Sequence, residues 1–193
     1  MRLLSNPYFF QLSISLTSNL KKYRDIISKE LKSSYSGRTL DICCGTGNIA
    51  SCVEGEYIGF DLNLEYINFA INRFKNDTQK KFLVSNINDF GFKLDYFDNV
   101  LLVNALHHFS DDDASSLLDD INKTAKRTII ITDPAIETKN TISKFLFILD
   151  RGVFIRSYEE QKYLISQKLN IVKNYTYYAG LGHGRIFVCA PKQ

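Results

Sequence analysis

The sequence predicts an α/β protein: a doubly wound, mostly parallel seven-stranded sheet with a terminal antiparallel hairpin. Three observations carry this expectation. Short apolar runs alternate with amphipathic or polar stretches along most of the chain. The stretch Thr39–Ala50 passes from an apolar strand through a tight glycine turn into what reads as the start of a helix. The next apolar run, Tyr57–Leu62, closes with an acid at Asp61.

Taken in order, Asn6-Pro7 marks a turn, and Tyr8, Phe9 and Phe10 follow it. Leu20, Tyr23, Ile27 and Leu31 share one face of a helix expected over Thr17–Leu31. Thr39–Ile42 is the first strand, Gly47–Cys52 a short helix and Tyr57–Leu62 the second strand. Asn63 is placed to cap a helix over Leu64–Phe74. Lys81–Ser85 is the third strand and Asp98–Val103 the fourth. The unbroken apolar character of residues 100–103 suits a parallel strand covered on both faces.

A loop holding His107 and His108 leads to a helix ending near Lys126, with Asp112, Asp113 and Ser115 as candidate caps. Thr128–Thr132 is the fifth strand and ends at Asp133-Pro134. Asn140–Asp150 reads as a helix stopped at Arg151-Gly152. Ser157 with Glu160 forms a capping box for a helix over Tyr158–Lys168. Ile171–Tyr177 and Ile186–Ala190 make the closing hairpin, joined by Ala179–Gly184. Residues 1–193 read as one domain, with residues 1–36 as an N-terminal helical cover.

The bulk numbers narrow the class. Of 193 residues, 45% are apolar and 23% charged, as in ordinary globular proteins. A net charge of +3 is too weak to imply nucleic acid, and no nucleic-acid partner is expected. The absence of a long apolar run predicts no membrane span, and Met1–Ser18 lacks the features of a signal peptide. A cytoplasmic location is expected, as a monomer or homodimer. Cys43, Cys44, Cys52 and Cys189 do not follow zinc-site spacing and read as small buried hydrophobes, so no metal is expected.

The glycine turn would set backbone amides beside a ligand at the strand's carboxyl edge. An acid after the second strand would accept hydrogen bonds from a ribose. Together they imply a nucleoside-containing cofactor. The glycines do not form Gly-x-Gly-x-x-Gly, which disfavours a nicotinamide enzyme.

The chain resembles the class I, Rossmann-like S-adenosylmethionine-dependent methyltransferases. Their first motif appears as Asp41-Ile42-Cys43-Cys44-Gly45-Thr46-Gly47, with Cys43 where the family usually has its first glycine. Asp61 follows, Asn86 stands where the family commonly has an acid, and the fourth motif runs from Phe97-Asp98-Asn99-Val100 to Asn104-Ala105-Leu106-His107-His108-Phe109. The resemblance implies strand order 3-2-1-4-5-7-6 and S-adenosylmethionine as cofactor.

It also implies roles. Asp41 would organise the loop or meet the cofactor's ammonium through a water. Cys43, Gly45 and Gly47 would line the amino-acid tail, with the glycines allowing close backbone approach. Asp61 would hold the ribose hydroxyls, Leu62 and Ile87 would enclose the adenine with Asn86 at its edge, and Asn104 would meet the tail. His107 and His108 are the candidate general bases, with cofactor contact or packing as their alternative roles. Tyr8, Asp133, Arg151 and Arg156 are candidate substrate contacts. The function so implied is methyl transfer to an O or N atom of a small-molecule acceptor. The alternatives are a protein or nucleic-acid methyltransferase, or a non-catalytic S-adenosylmethionine binder.

Overall fold

The computed structural model describes residues 6–8, 10–11, 20–34, 37–135, 153–179 and 182–192. Its strands in chain order are β1 Thr39–Ile42, β2 Tyr57–Asp61, β3 Lys80–Val84, β4 Phe97–Val103, β5 Ala125–Pro134, β6 Leu169–Ala179 and β7 Gly182–Pro191. They form one sheet ordered β3-β2-β1-β4-β5-β7-β6, as the sequence predicts. The first five strands pair in parallel, and β7 runs antiparallel to both β5 and β6.

The helices are α1 Leu20–Ser34, α2 Leu64–Arg73, α3 Asp111–Thr124 and α4 Tyr158–Lys168. The apolar runs of the central strands serve two cores at once, because successive side chains point to opposite faces. Val100, Leu102, Ile129 and Ile131 pack with Leu117, Leu118 and Ile121 of α3 and Ile165 of α4. Leu101 and Ile130 turn the other way, toward Tyr23, Ile27 and Leu31 of α1 and Ile67 and Ala70 of α2. Full burial of each such aliphatic side chain contributes roughly 1.5–3 kcal/mol.

Several boundaries differ from the sequence expectation. The cap of α3 is Ser110, whose side chain accepts from the Asp113 amide. That puts Asp111, Asp112 and Asp113 in the first turn, where the helix dipole favours them. The helix stops at Thr124, and β5 starts at once, three residues earlier than expected. The hairpin strands also extend further, pairing to Ala179 and Gly182. The expected helix over Asn140–Asp150 and its stop at Arg151-Gly152 lie outside the described residues.

The expected helix after the glycine turn does not form. Turns run through residues 43–49, followed by a single 3-10 turn at Ala50–Cys52. The glycine, threonine and asparagine residues here have weak helix preference, and the chain must return to β2 by Tyr57. Several of the turn's amides bond within this corner, Cys44 N–H to the Phe60 carbonyl, Gly47 N–H to that of Cys44 and Ala50 N–H to that of Gly47.

Candidate functional site

The site begins where β1 ends. Cys43, Gly45 and Gly47 take φ values of 58°, 55° and 72°, so the chain reverses through left-handed conformations. Cys43 adopts a geometry that glycine reaches without strain. Gly47 answers a packing demand as well, since a Cβ there would stand 2.9 Å from the Phe82 ring and 3.2 Å from that of Phe74. Its missing side chain makes room for these two rings. Gly45 is different: its nearest neighbour on that side is the Phe10 ring at 3.7 Å.

Asp61 joins the two sides of this corner. Its carboxylate accepts the Gly45 amide at 2.9 Å and the Asn63 amide at 2.9 Å. Two amide bonds leave further lone pairs on the carboxylate. Cys44 adds a backbone bond from its N–H to the Phe60 carbonyl at 2.9 Å. Gly59 permits this approach, because a Cβ there would clash with the Cys44 side chain at 2.8 Å. Sequence reasoning passed over Gly59, although an isolated glycine in a strand pattern is itself a signal of close backbone approach.

Asp41 is 1% exposed. The Tyr57 hydroxyl donates to its Oδ2 at 2.6 Å, while Oδ1 is buried with no hydrogen-bond partner among the described residues. Burial lifts its carboxyl to about 7, against the smaller opposing effect of the Tyr57 bond. The Cys43 thiol is pushed up to about 12 by burial, with the negative charges of Asp61 and Asp41 adding to it. It is therefore protonated and inert at neutral pH.

The rim comes from three segments. Phe10 stacks on Tyr66 with ring centroids 4.8 Å apart, and Gln11 donates to Thr46 Oγ1 and, at 2.8 Å, to Asn48 Oδ1. These residues, rather than Tyr8, lie across the glycine turn. Tyr8 is 72% exposed and packs edge-on against Phe69 of α2. Leu62 is 71% exposed beside Asp61. Asn86 caps the 3-10 turn Ile87–Asp89 by accepting from the Asn88 amide, and Ile87 is half-buried against the core. A groove of about 290 Å³ lined by Asn86, Ile87, Phe109 and Leu117 opens on this side. A second cavity of about 280 Å³, lined by Leu31, Thr39, Val53 and Asn99, lies at the opposite edge of the sheet, away from the glycine corner.

Beyond β4 the backbone reverses at Asn104, with φ 51°. Thr132 holds it there, its carbonyl and Oγ1 accepting the Asn104 amide at 2.8 and 3.2 Å. Thr132 Oγ1 also lies 2.8 Å from the Tyr23 hydroxyl, and the Tyr177 hydroxyl reaches Asn104 Oδ1 at 3.4 Å. This chain of partners had no counterpart in the sequence pattern.

The two histidines separate. His107 is 1% exposed, and its Nδ1 lies 2.7 Å from Asp133 Oδ1. His108 is exposed, with its ring centroid 4.2 Å from that of His107. Asp133 is fully buried; one carboxylate oxygen meets His107, and Oδ2 is buried with no hydrogen-bond partner among the described residues. Burial raises the Asp133 carboxyl, and the His107 contacts oppose that.

Arg156 is also committed to protein. Its guanidinium donates to Asp111 at 2.7 and 2.9 Å and to the carbonyls of Leu106, Phe109 and Phe154. It clamps both ends of the histidine loop, with no donor shown toward a substrate. Gln161 seats the clamp by donating to the Pro134 and Arg156 carbonyls. Arg151 lies outside the described residues. No group of histidine, cysteine and carboxylate side chains suited to a metal occurs among the described residues.

Residues 39–128, just under half of the chain, match a family model described as a methyltransferase domain. The YcgJ protein of Bacillus subtilis shares 16% identity and a TM-score of 0.71, over 88% of this chain and 98% of that one. The chain has the class I methyltransferase fold. Magnesium protoporphyrin IX methyltransferase of Synechocystis PCC 6803, solved with bound SAH, gives 17% identity and a TM-score of 0.70, over 89% of this chain and 83% of that one. A structure described as the [4+2]-cyclase SpnF gives 12% and 0.71, over 88% and 79%. Among curated proteins, none matches the sequence.

In open α/β sheets a ligand binds outside the carboxyl ends of the strands where the strand order reverses, here beside β1 and β4, and the residues at that edge fit S-adenosylmethionine. Asp61 retains acceptor capacity for a ribose, Leu62 offers an exposed apolar surface beside it, and Asp41 keeps a buried oxygen with no partner among the described residues.

Proposed function

We propose that the chain transfers the methyl group of S-adenosylmethionine to an O or N atom of a small-molecule acceptor. The observation that carries this reading is the corner in which Asp61 binds the Gly45 and Asn63 amides at the carboxyl edge of a sheet with this strand order. When bound, S-adenosylmethionine supplies a methyl group on a sulfonium, open to in-line displacement with a neutral thioether as leaving group. Asp61 would orient the ribose, Leu62 and Ile87 would flank the adenine with Asn86 at its edge, and Asn104 would border the amino-acid tail.

The His107–Asp133 pair holds the loop in one orientation and presents His108. The exposed imidazole of His108 would take the proton from the acceptor's O–H or N–H. His107 serves as its support, with Asp133 fixing the ring at Nδ1. Arg156 acts as the clamp of this loop. The short cover formed around Phe10 and Gln11 suits a small acceptor better than a folded one.

The test is a calorimetric titration with S-adenosylmethionine and, separately, NAD. Binding of the first and not the second is expected. Asp61→Ala should weaken that binding by about 1–3 kcal/mol, the worth of a charge-assisted acceptor. Tighter binding of NAD, or unchanged affinity in the variant, would remove the basis of the assignment.

A further inference from the structure

Two arginines, Arg24 and Arg73, converge over the turn that follows the glycine corner. Tyr23, Ile27 and Leu31 of α1 pack with Ile49, Ala50 and Val53 of that turn, and Ile67 and Ala70 of α2 join the same cluster. Arg24 follows Tyr23 on α1, and Arg73 is the last residue of α2. Arg73 donates to Asn48 Oδ1 at 3.0 Å, at the head of the turn. Cys52, at its end, feels the charge of both arginines, and Arg73 feels that of Arg24.

Neither cation has an acid to answer it. Arg24 is half-buried and makes no hydrogen bond or ion pair among the described residues, and its Nε is closed off from water without a partner. Arg73 packs its guanidinium 5.4 Å from the Phe74 ring, and no carboxylate pairs with it among the described residues. Asp25, beside Arg24 in the chain, is exposed and pairs with neither arginine. Burial pushes the Cys52 thiol upward, so it stays neutral and supplies no counter-charge. Other cations of the chain are answered: Lys32 pairs with Glu54 and Arg38 with Glu56, each at 2.9 Å.

Like charges held together repel, and a buried charged donor without an acceptor is costly. An outside anion removes both costs at once. Its shape follows from the donors. A carboxylate offers two oxygens, which one guanidinium fork saturates. A phosphate group offers three or more oxygens around a tetrahedral centre, enough for a fork from each side. We propose that Arg24 and Arg73 form a binding site for a phosphate group, carried as the free ion or as a phosphate monoester. Arg73 stands on an exposed helix end, which leaves the site open to solvent, and Arg24 forms its inner wall. The site is independent of the S-adenosylmethionine reading.

The experiment titrates the isotope-labelled full chain with inorganic phosphate near neutral pH, with ionic strength held constant by chloride. Arginine Nε–H signals are followed by NMR, and thermal unfolding midpoints are measured in parallel. The Arg24 signal, identified by its loss in Arg24→Met, should shift and saturate, and the midpoint should rise with phosphate as mass action requires. Arg24→Lys keeps the charge and loses the fork, and Arg73→Met removes the second cation. Each should weaken phosphate by about tenfold or more. Glycerol 3-phosphate separates the two sources: affinity equal to that of inorganic phosphate assigns the site to an ester, and much weaker affinity assigns it to the free ion. An unmoved Arg24 signal would overturn the proposal. So would a midpoint rise that persists in both variants, since phosphate stabilises folded chains in general by exclusion from their surface. Acetate binding as tightly as phosphate would overturn it as well.

Discussion

The clearest residue-scale departure is Cys43, a side chain in a left-handed conformation where glycine is free of strain. That conformation costs about 1–2 kcal/mol for a residue with a Cβ. Replacing it with glycine relieves this, while the freer unfolded chain offsets about 0.5–1 kcal/mol. Cys43→Gly should therefore gain about 0.5 kcal/mol in urea unfolding. A loss instead would mean that packing of the thiol outweighs the backbone strain. The histidines make a second contrast at this scale. His108 is exposed and His107 is buried on Asp133, so their alanine variants should fail differently. His108→Ala should lower turnover with cofactor affinity and unfolding midpoint preserved. His107→Ala strands a buried carboxylate and should lower stability itself by about 1–3 kcal/mol. If the His108 variant kept full turnover across pH, the proposed proton transfer would have no support.

Among the elements, α4 has consequences beyond its own turns. Its capping box is complete, with Ser157 accepting from the Glu160 amide and Glu160 accepting from Ser157 in return. Arg156 precedes the cap and ties the Leu106 and Phe109 carbonyls, one at each end of the histidine loop. The helix start and the histidine loop are therefore one mechanical unit. Arg156→Met keeps much of the buried stem and removes the donors to both carbonyls. It should lower turnover at least tenfold and speed amide exchange within residues 106–109, while the affinity for S-adenosylhomocysteine stays within about twofold. Unchanged exchange in that loop would show that the clamp is dispensable. The glycine corner has the opposite character: it lacks a following α-helix, and its order comes from Asp61, Phe60 and Gln11.

For the whole molecule, the buried acids Asp41 and Asp133 share one direction of pH dependence, opposite to that of Glu30, where burial raises the carboxyl but the Lys173 and Tyr175 bonds together bring it below its ordinary value. Asp41 and Asp133 both stand above their ordinary values, so at these two sites the folded chain binds protons more tightly than the unfolded one. Their stabilising contribution is present below pH 4 and falls as pH rises through about 7, the value for Asp41. Thermal unfolding midpoints of wild type should therefore decline more across pH 5–7 than those of Asp41→Asn, and parallel curves would refute the assignment. The sequence by itself determined the alternating elements, the strand order through the family resemblance, and the corner built on Gly45 and Asp61. These follow from short-range periodicity and turn chemistry, which neighbouring residues carry. Only the tertiary structure decided that Asp133 meets His107, that Arg156 serves a loop 50 residues earlier in the chain, and that Tyr57 occupies one oxygen of Asp41. Such pairings depend on which strand ends and loops the sheet brings side by side, and on which polar atoms are closed off from water there. Neither quantity is written in local spacing.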